Sequence, residues 1–241
     1  MNRGFSTFRT LQRKITSNTL KSKQKNASSN EWLSRQLSDP YVEKAKQMNY
    51  RCRSAFKLVE INNKYQFLKP GQVVIDVGAA PGSWSQVIAN KINSNGQDQN
   101  APKGIAVAID KQQIYPIDGV TIFGNMDFTK PENQEKITHF LEGKRANAVV
   151  SDMAPSASGI RHLDNDIIIE LCYNVLRFAV KVSEQNASIL VKLWQCGETK
   201  QLENDIARFY KNVKLVKPDS SRSDSAEIFL LGMDFKGLKE N

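Results

Sequence analysis

Residues 73–84 read VVIDVGAAPGSW, a short and mostly apolar run that passes directly into a turn of small residues. Val73–Val77 is β-branched at four of its five positions, which is typical of a strand that is buried on both faces. A turn over residues 78–82 and a helix from Ser83 are expected to follow. A strand, a tight turn and a helix in this order predict a ligand at the carboxyl edge of a sheet.

The pattern on both sides of this stretch alternates between strands and helices. Apolar runs predict further strands at 105–109, 120–123, 148–151, 187–194, 213–216 and 226–233. Helical periodicity and helix-start signals predict helices at 31–37, 40–48, 51–65, 83–92, 131–141, 164–183 and 198–210. This alternation predicts an α/β fold with a Rossmann-like seven-stranded sheet, mostly parallel, and helices on both faces. No helix joins the last two strands, so the last strand is expected to run antiparallel.

The composition limits the classes of protein that the chain can belong to. Its three cysteines form no C-x-x-C pair and only two histidines accompany them, so neither a disulfide framework nor a zinc site is expected. No apolar run approaches the roughly 18 residues of a membrane span. The length of 241 residues fits a single domain over residues 31–241, preceded by an N-terminal segment.

The N-terminal segment, residues 1–30, contains most of the excess positive charge. Seven of the 34 basic residues lie there and no acid does, which leaves 27 basic against 25 acidic residues in the rest of the chain. Apolar residues recur at helical spacing among these charges, at Phe5, Phe8, Leu11 and Ile15. A basic, Ser-rich, acid-free amphipathic segment is typical of a mitochondrial presequence. A disordered basic tail that touches RNA is the alternative.

Acidic residues follow the next two predicted strands. Asp110 comes after the strand at 105–109 and is placed to accept hydrogen bonds from ribose hydroxyls. Asp127 comes just after the strand at 120–123, where a carboxylate would accept an adenine amino proton. Each acid alone is explained as well by a solvated strand end, but in this order after a glycine turn they favour an adenosine-containing cofactor. The turn reads G-x-x-x-G and not G-x-G-x-x-G, which argues against a nicotinamide dehydrogenase.

Four charged residues have the chemistry to deprotonate an alcohol. Asp152 ends the strand at 148–151, Lys192 lies inside the apolar run LVKLW, Lys57 lies in the apolar segment AFKL, and Glu227 opens the last strand. A lysine in an apolar strand is either ion-paired or has a depressed pKa. A second lysine and burial both destabilise its ammonium form, and a carboxylate orients it. For each residue alone, an ion-paired side chain at the end of an element is the alternative.

These motifs resemble the FtsJ/RrmJ family of RNA ribose 2′-O-methyltransferases. The matching stretches cover about residues 31–235 and are RSAFKL around Lys57, DVGAAPGSWSQ from Asp76, Asp110, Asp127-Phe128, SDMAPSASG around Asp152, LVKLW around Lys192, and KPDSSRSDSAEIF up to Glu227. The resemblance implies a class I methyltransferase fold, S-adenosyl-L-methionine as cofactor, and Lys192 as general base in a tetrad with Lys57, Asp152 and Glu227. The expected cofactor contacts are Gly78, Pro81, Gly82, Ser83, Trp84, Asp110, Asp127, Phe128 and Asp152.

The stretch WLSRQLSDPYVEKAK and the N-terminal segment resemble the mitochondrial branch of this family, whose members modify a uridine in large-subunit ribosomal RNA. The resemblance implies a monomer in the mitochondrial matrix that acts on ribosomal RNA or an assembling subunit, without a metal. Ser83 stands where bacterial relatives have a second glycine, and its hydroxymethyl group is expected to reach the methionine part of the cofactor. The 93–104 loop is expected at the surface.

Contacts with RNA are the least specified part of the site. Arg51 and Arg53 precede Lys57, and Arg222 lies in the loop before Glu227, so these three are expected to hold phosphates beside the site. Two alternatives stay open: methylation of another RNA, such as a cap or tRNA, and a ribosome assembly factor whose catalysis is dispensable.

Overall fold

The computed structural model of the chain describes residues 39–155, 158–222 and 224–238. The described residues from Pro40 onward form one compact unit. The predicted presequence at 1–30 and the predicted helix at 31–37 lie outside the described residues.

Every strand and helix predicted within the described residues is present, with ends that shift by a few residues. In chain order they are α1 (Pro40–Gln47), α2 (Ala55–Tyr65), β1 (Val73–Val77), α3 (Ser83–Lys91), β2 (Ile105–Ile109), β3 (Val120–Phe123), α4 (Pro131–Phe140), β4 (Ala146–Ser151), α5 (Arg161–Val182), β5 (Ser183–Trp194), α6 (Thr199–Phe209), β6 (Tyr210–Val216) and β7 (Glu227–Phe235).

All seven strands form one sheet in the order β3-β2-β1-β4-β5-β7-β6. The pairs among β1 to β5 are parallel, and β7 lies antiparallel between β5 and β6. The predicted Rossmann-like sheet with an antiparallel last strand is therefore confirmed. The insertion of β7 between β5 and β6 places the start of the last strand beside the end of β5.

Two apolar layers cover the sheet. Val73, Ile75 and Val77 of β1 face the larger cluster, with α5 and α6, while Val74 faces the cluster that contains α2 and α3. All five residues of β1 are buried, as the run of β-branched residues predicts. Burial on both faces fixes the register of β1, because a slip of one residue would exchange its two layers.

The helix predicted from Arg51 begins instead at Ala55. Residues 51–54 form tight turns, with hydrogen bonds from the amides of Ala55, Phe56 and Lys57 to carbonyl oxygens three residues earlier. A tertiary contact stabilises these turns, since Trp84 Nε1 donates to Ser54 O at 2.8 Å. The apolar periodicity of the segment contains no information about this contact, which comes from α3.

Candidate active site

The four charged residues singled out in the sequence meet at the carboxyl edge of the sheet. Asp152 Oδ1 lies 3.0 Å from Lys192 Nζ and 3.7 Å from Lys57 Nζ. Lys57 Nζ in turn lies 2.7 Å from Glu227 Oε2. All four side chains are at most 16% exposed. The result is a continuous chain of alternating charges, Lys192–Asp152–Lys57–Glu227, in a largely dry environment.

The contact between Asp152 and Lys192 has two parts. Lys192 Nζ donates a hydrogen bond to the backbone carbonyl of Asp152 at 2.5 Å. Its approach to Asp152 Oδ1 lacks hydrogen-bond geometry, so this buried carboxylate oxygen is paired by charge but accepts no hydrogen bond from any described residue. A buried carboxylate oxygen without a hydrogen bond is costly, so this oxygen is suited to receive a polar or cationic group of a ligand.

The other end of the charge chain is held more completely. Glu227 accepts from Lys57 through Oε2 and from Ser221 Oγ through Oε1, the latter at 2.8 Å. The Lys57 ammonium also lies 5.8 Å from the centre of the Phe229 ring, in cation–π range. Lys57 is thereby fixed in position by its partners. The neighbouring Lys192 ammonium has a hydrogen bond to Asp152 O and no other among the described residues.

The topology explains why residues so distant in sequence meet here. Lys192 pairs with Phe229 and Trp194 with Glu227 across the β5–β7 ladder, so Lys192 and Glu227 are diagonal neighbours. Asp152 directly follows β4, the other neighbour of β5. Lys57 comes from α2, whose apolar residues Leu58 and Ile61 are packed in the core and fix the helix against the sheet.

A cavity of about 430 Å³ opens beside Asp152, at the carboxyl ends of β1, β2 and β4. Its lining includes five of the predicted cofactor residues, Gly78, Asp110, Asp127, Phe128 and Asp152, together with apolar residues such as Met153, Ile167 and Leu171. Three carboxylates among apolar walls make a cavity suited to a ligand that has both a cationic and a planar apolar part.

Both predicted ribose and adenine acceptors are oriented by nearby backbone amides. Asp110 accepts from Ala80 N at 2.9 Å and from Gln112 N at 2.7 Å, one bond on each carboxylate oxygen. Asp127 Oδ1 accepts from the hydroxyl and amide of Thr129, and these bonds hold the pKa of Asp127 below its usual value. Asp127 therefore presents its other oxygen as an ionised acceptor.

The Arg51 side chain contacts the glycine turn, residues 78–82. The guanidinium donates to Pro81 O at 2.7 Å, Tyr115 O at 2.9 Å and Pro116 O at 2.7 Å, and so connects the turn to the loop after β2. Gly82 has φ +110°, and a Cβ there would lie 2.8 Å from Arg51 Nη1. The Arg51 guanidinium thus has three partners within the chain, and its contact with RNA stays a prediction.

Pro81, Gly82, Ser83 and Trp84, also predicted as cofactor contacts, do not line the cavity. The buried Ser83 hydroxyl lies 2.8 Å from Ser54 Oγ and 3.0 Å from Cys52 Sγ, so it points to the turn before α2 and not toward a ligand. Trp84 is buried against Phe229, with ring centres 5.8 Å apart. The side chains of Ser83 and Trp84 therefore stabilise the fold around the turn, and contact of all four residues with the cofactor stays a prediction.

The two other predicted RNA contacts also have partners within the chain. Arg53 donates to Ser220 O and lies 5.6 Å from the centre of the Tyr41 ring. Arg222 is half-buried and interacts with the rest of the chain as well. Neither arrangement tests RNA binding, so both assignments stay predictions.

Two acids were not identified from the sequence. Asp164 accepts hydrogen bonds from the Ser158 amide and hydroxyl at 2.8 and 2.6 Å, which fixes the loop after Asp152 to α5 and lowers the pKa of Asp164. Asp76 is buried in β1, and desolvation raises its pKa to about 7 although Ser85 Oγ donates to it at 2.6 Å. A helix-start acid could have indicated Asp164; the apolar run of β1 contains no signal for the role of Asp76.

Within residues 39–155, 158–222 and 224–238, no cluster of His, Cys, Asp and Glu is arranged to hold a metal ion. Likewise, no helix in the described part of the chain is long and apolar enough to cross a membrane.

The mostly parallel, Rossmann-like sheet places an acid-lined cavity beside a lysine–carboxylate cluster, and comparison with known proteins specifies the family. The model of the FtsJ-like methyltransferase family matches residues 50–235. Mitochondrial rRNA methyltransferase 2 of Drosophila melanogaster is 51% identical over 219 residues, which are 91% of this chain and 88% of that protein. Ribosomal RNA large subunit methyltransferase E of Cereibacter sphaeroides is 40% identical over 94% of this chain and 92% of that protein.

The fold is also found in a solved structure. A crystal structure described as a ribosomal RNA methyltransferase of Plasmodium falciparum superposes with a TM-score of 0.68 and 28% identity, over 78% of this chain and all of that one. The chain belongs to the FtsJ-like methyltransferase family.

Proposed function

We propose that this protein transfers a methyl group from S-adenosyl-L-methionine to a ribose 2′-hydroxyl, most specifically that of a uridine in mitochondrial large-subunit ribosomal RNA. The main support is the position of Asp152, which both lines the cavity and contacts Lys192. One carboxylate thereby connects the cofactor-binding region to the residue proposed as base.

The lining of the cavity fits the proposed cofactor. Asp110 would accept from the ribose hydroxyls, Asp127 from the adenine amino group, and the Phe128 ring would contact the base. Asp152, with its oxygen that accepts no hydrogen bond from the described residues, would face the cationic end. The cofactor supplies an electrophilic methyl group on a sulfonium.

Lys192 then acts as the general base. The amine, held by its hydrogen bond to the Asp152 carbonyl, would accept the proton of the 2′-hydroxyl while the oxygen takes the methyl group and S-adenosyl-L-homocysteine leaves. The Lys57–Glu227 pair, fixed by Ser221, holds a positive charge near Asp152 and orients the acceptor ribose. Low exposure of all four side chains strengthens these electrostatic contacts.

The substrate and the compartment are proposed from the relatives. Two of them are described as ribosomal RNA methyltransferases, one of which is mitochondrial. The domain extent, residues 31–241 after a presequence at 1–30, belongs to the same proposal. The seven basic residues without an acid in 1–30 support it from the sequence.

Mapping of 2′-O-methyl groups tests the function. Ribosomal RNA from cells that lack the protein is expected to lose methylation at one position, and the purified protein with S-adenosyl-L-methionine is expected to restore it in vitro. Methyl transfer only to capped RNA or tRNA would contradict the ribosomal assignment. Full rescue of the cells by Lys192→Ala would favour the assembly-factor alternative.

A reporter fusion tests the compartment separately. Residues 1–30 fused to a fluorescent protein are expected to direct it to mitochondria. The matched control replaces Arg9, Arg13 and Lys14 by glutamine, which removes the charge but keeps the apolar spacing. A cytosolic or nuclear wild-type fusion would contradict the proposed location.

A further inference from the structure

A second cleft lies beside the lysine–carboxylate cluster and is separate from the proposed cofactor cavity. It has a volume of about 270 Å³ and is lined by Gly159, Arg161, Asp164, Asn165, Trp194, Gln195 and Ala226. None of these residues lines the 430 Å³ cavity. The first turn of α5 borders this cleft, while Ile167 and Leu171, further along α5, border the cofactor cavity.

The cleft lies close to the reacting groups. Trp194 comes two residues after Lys192 on β5, which corresponds to about 6.6 Å along a strand. Ala226 directly precedes Glu227, and Ala226 O accepts from Gln195 N at 2.8 Å. A ribose held at Lys192 would therefore have its attached base within reach of the cleft.

Three polar side chains of the cleft have no hydrogen-bond partner within the described part of the chain, whereas Asp164 is held by Ser158. The indole N–H of Trp194 and the side-chain amides of Asn165 and Gln195 make no hydrogen bond to any described residue. Trp194 is half-buried and packs against the larger core cluster, so its ring is fixed in place. A fixed aromatic ring with two free amides is a combination that binds an unpaired nucleic-acid base by stacking and by hydrogen bonds to its edge.

The cleft is small and has a basic residue at its rim. Pockets for drug-sized ligands start at roughly 300 Å³, so this cleft is small for such a ligand. The Arg161 side chain is exposed at its rim, where a guanidinium would meet a phosphate of the same strand.

We propose that this cleft binds the base of the target nucleotide, stacked on Trp194 and hydrogen-bonded by Asn165 and Gln195. The proposal rests on the proposed function and adds to it the part of the substrate that the enzyme recognises. In this arrangement the base is withdrawn from the RNA stack, and its binding places the 2′-hydroxyl at Lys192.

The experiment compares two RNAs in steady-state methylation. One is a short synthetic RNA around the mapped position, and the other is the same RNA with an abasic ribose at the target, which keeps the 2′-hydroxyl. The wild-type enzyme is expected to prefer the intact RNA by roughly 5- to 150-fold in kcat/KM, the range for stacking of one base. An abasic ribose at the next nucleotide is the matched RNA control and is expected to have little effect.

Variants of the cleft assign the preference to its residues. Trp194→Leu keeps an apolar side chain but cannot stack, so it is expected to lose most of the preference for the intact base while the KM for the cofactor stays unchanged. Trp194→Phe keeps a ring and is expected to retain most of it. Phe140→Ala removes an exposed ring outside the cleft and is expected to behave as wild type.

The outcomes distinguish a failure of the proposed base-binding cleft from a failure of the proposed methyltransferase function. Equal methylation of intact and abasic RNA by the wild type, or a full preference in Trp194→Leu, would overturn the cleft while the methyltransferase function stands. No methylation of any RNA by a wild-type protein that binds the cofactor would overturn both. If Trp194→Leu does not fold, Asn165→Ala decides, since alanine suits its helical position: an unchanged preference would overturn the proposal.

Discussion

The two ends of the site differ in how their acids are held. At the cofactor cavity, Asp110 and Asp127 accept hydrogen bonds from residues two positions later in the chain. At the lysine–carboxylate cluster, Lys57 meets Glu227 across 170 residues, and Lys192 meets Asp152 across 40. The first end is organised mainly by loops, and the second by packing of α2, β4, β5 and β7 against each other.

This difference determines what a substitution should do. A change at the cofactor end removes one acceptor and alters a local loop, so it should affect cofactor affinity. A change in the charge chain removes a group that the proposed reaction uses, so it should affect the chemical step; it also leaves a buried ion without its partner, which lowers stability.

Loss of the proposed base is expected to have the largest effect. Lys192→Ala should lower the methylation rate at least about 10²-fold, because general-base catalysis contributes that much or more. Cofactor affinity should stay nearly unchanged, since Lys192 does not line the cavity. Single-turnover methylation and calorimetry measure the two quantities.

Lys192→Arg is the matched control, because arginine keeps the charge but stays protonated and cannot accept a proton. Its rate should be as low as that of the alanine variant. A near-wild-type rate in the arginine variant would make Lys192 a positioning charge.

Substitution at the cofactor end is expected to have the next largest effect. Asp110→Ala should weaken binding of S-adenosyl-L-methionine by roughly 10- to 150-fold, the equivalent of about 1.5–3 kcal/mol for a hydrogen bond to a charged group. Asp118→Ala, in the loop before β3, removes an acid that does not line the cavity and serves as control. Equal affinities in folded Asp110→Ala and wild-type protein would refute the assignment.

A smaller effect is expected at Arg51. Arg51→Ala removes the three hydrogen bonds that connect the glycine turn to the loop after β2, so it should raise the KM for the cofactor several-fold and leave kcat nearly unchanged. The KM for RNA distinguishes the two roles of this residue. If the KM for RNA rises and the KM for the cofactor does not, Arg51 acts as a phosphate contact.

The last effect is on stability and not on activity, and it concerns the buried carboxyl of Asp76. With its pKa raised from 3.8 to about 7 in the folded protein, this carboxyl binds a proton in the folded state that it lacks in the unfolded state between these values. Stability of the wild type is therefore lost as pH rises from about 4 to 7. Asp76→Asn stays neutral and should melt a few degrees above wild type at pH 8, with a smaller difference near pH 4.

Thermal unfolding of both proteins at several pH values measures this effect. The amide oxygen introduced by Asp76→Asn can still accept from Ser85, so this variant tests the charge and not the hydrogen bond. A melting-temperature difference that is independent of pH would show that Asp76 is already ionised in the folded protein.

Much of this site was accessible from local sequence. The buried strand at Val73–Val77, the turn after it and the acids after β2 and β3 follow from β-branched runs and strand-end chemistry, and the structure has all of them. Side-chain direction was not accessible in the same way. Ser83 and Trp84 lie in the right segment, yet their side chains point to the turn before α2 because Cys52 and Ser54 supply partners there.

Local patterns were enough for the α/β alternation, the antiparallel last strand and the identity of the charged residues, because these depend on short-range periodicity and residue chemistry. The insertion of β7 beside β5, which brings Glu227 to Lys57 and places Trp194 and Ala226 in one cleft, became visible only in the folded chain. The same holds for the oxygen of Asp152 that lacks a hydrogen bond. Strand order and buried polar contacts are set by packing between distant segments, and short stretches of sequence do not contain that information.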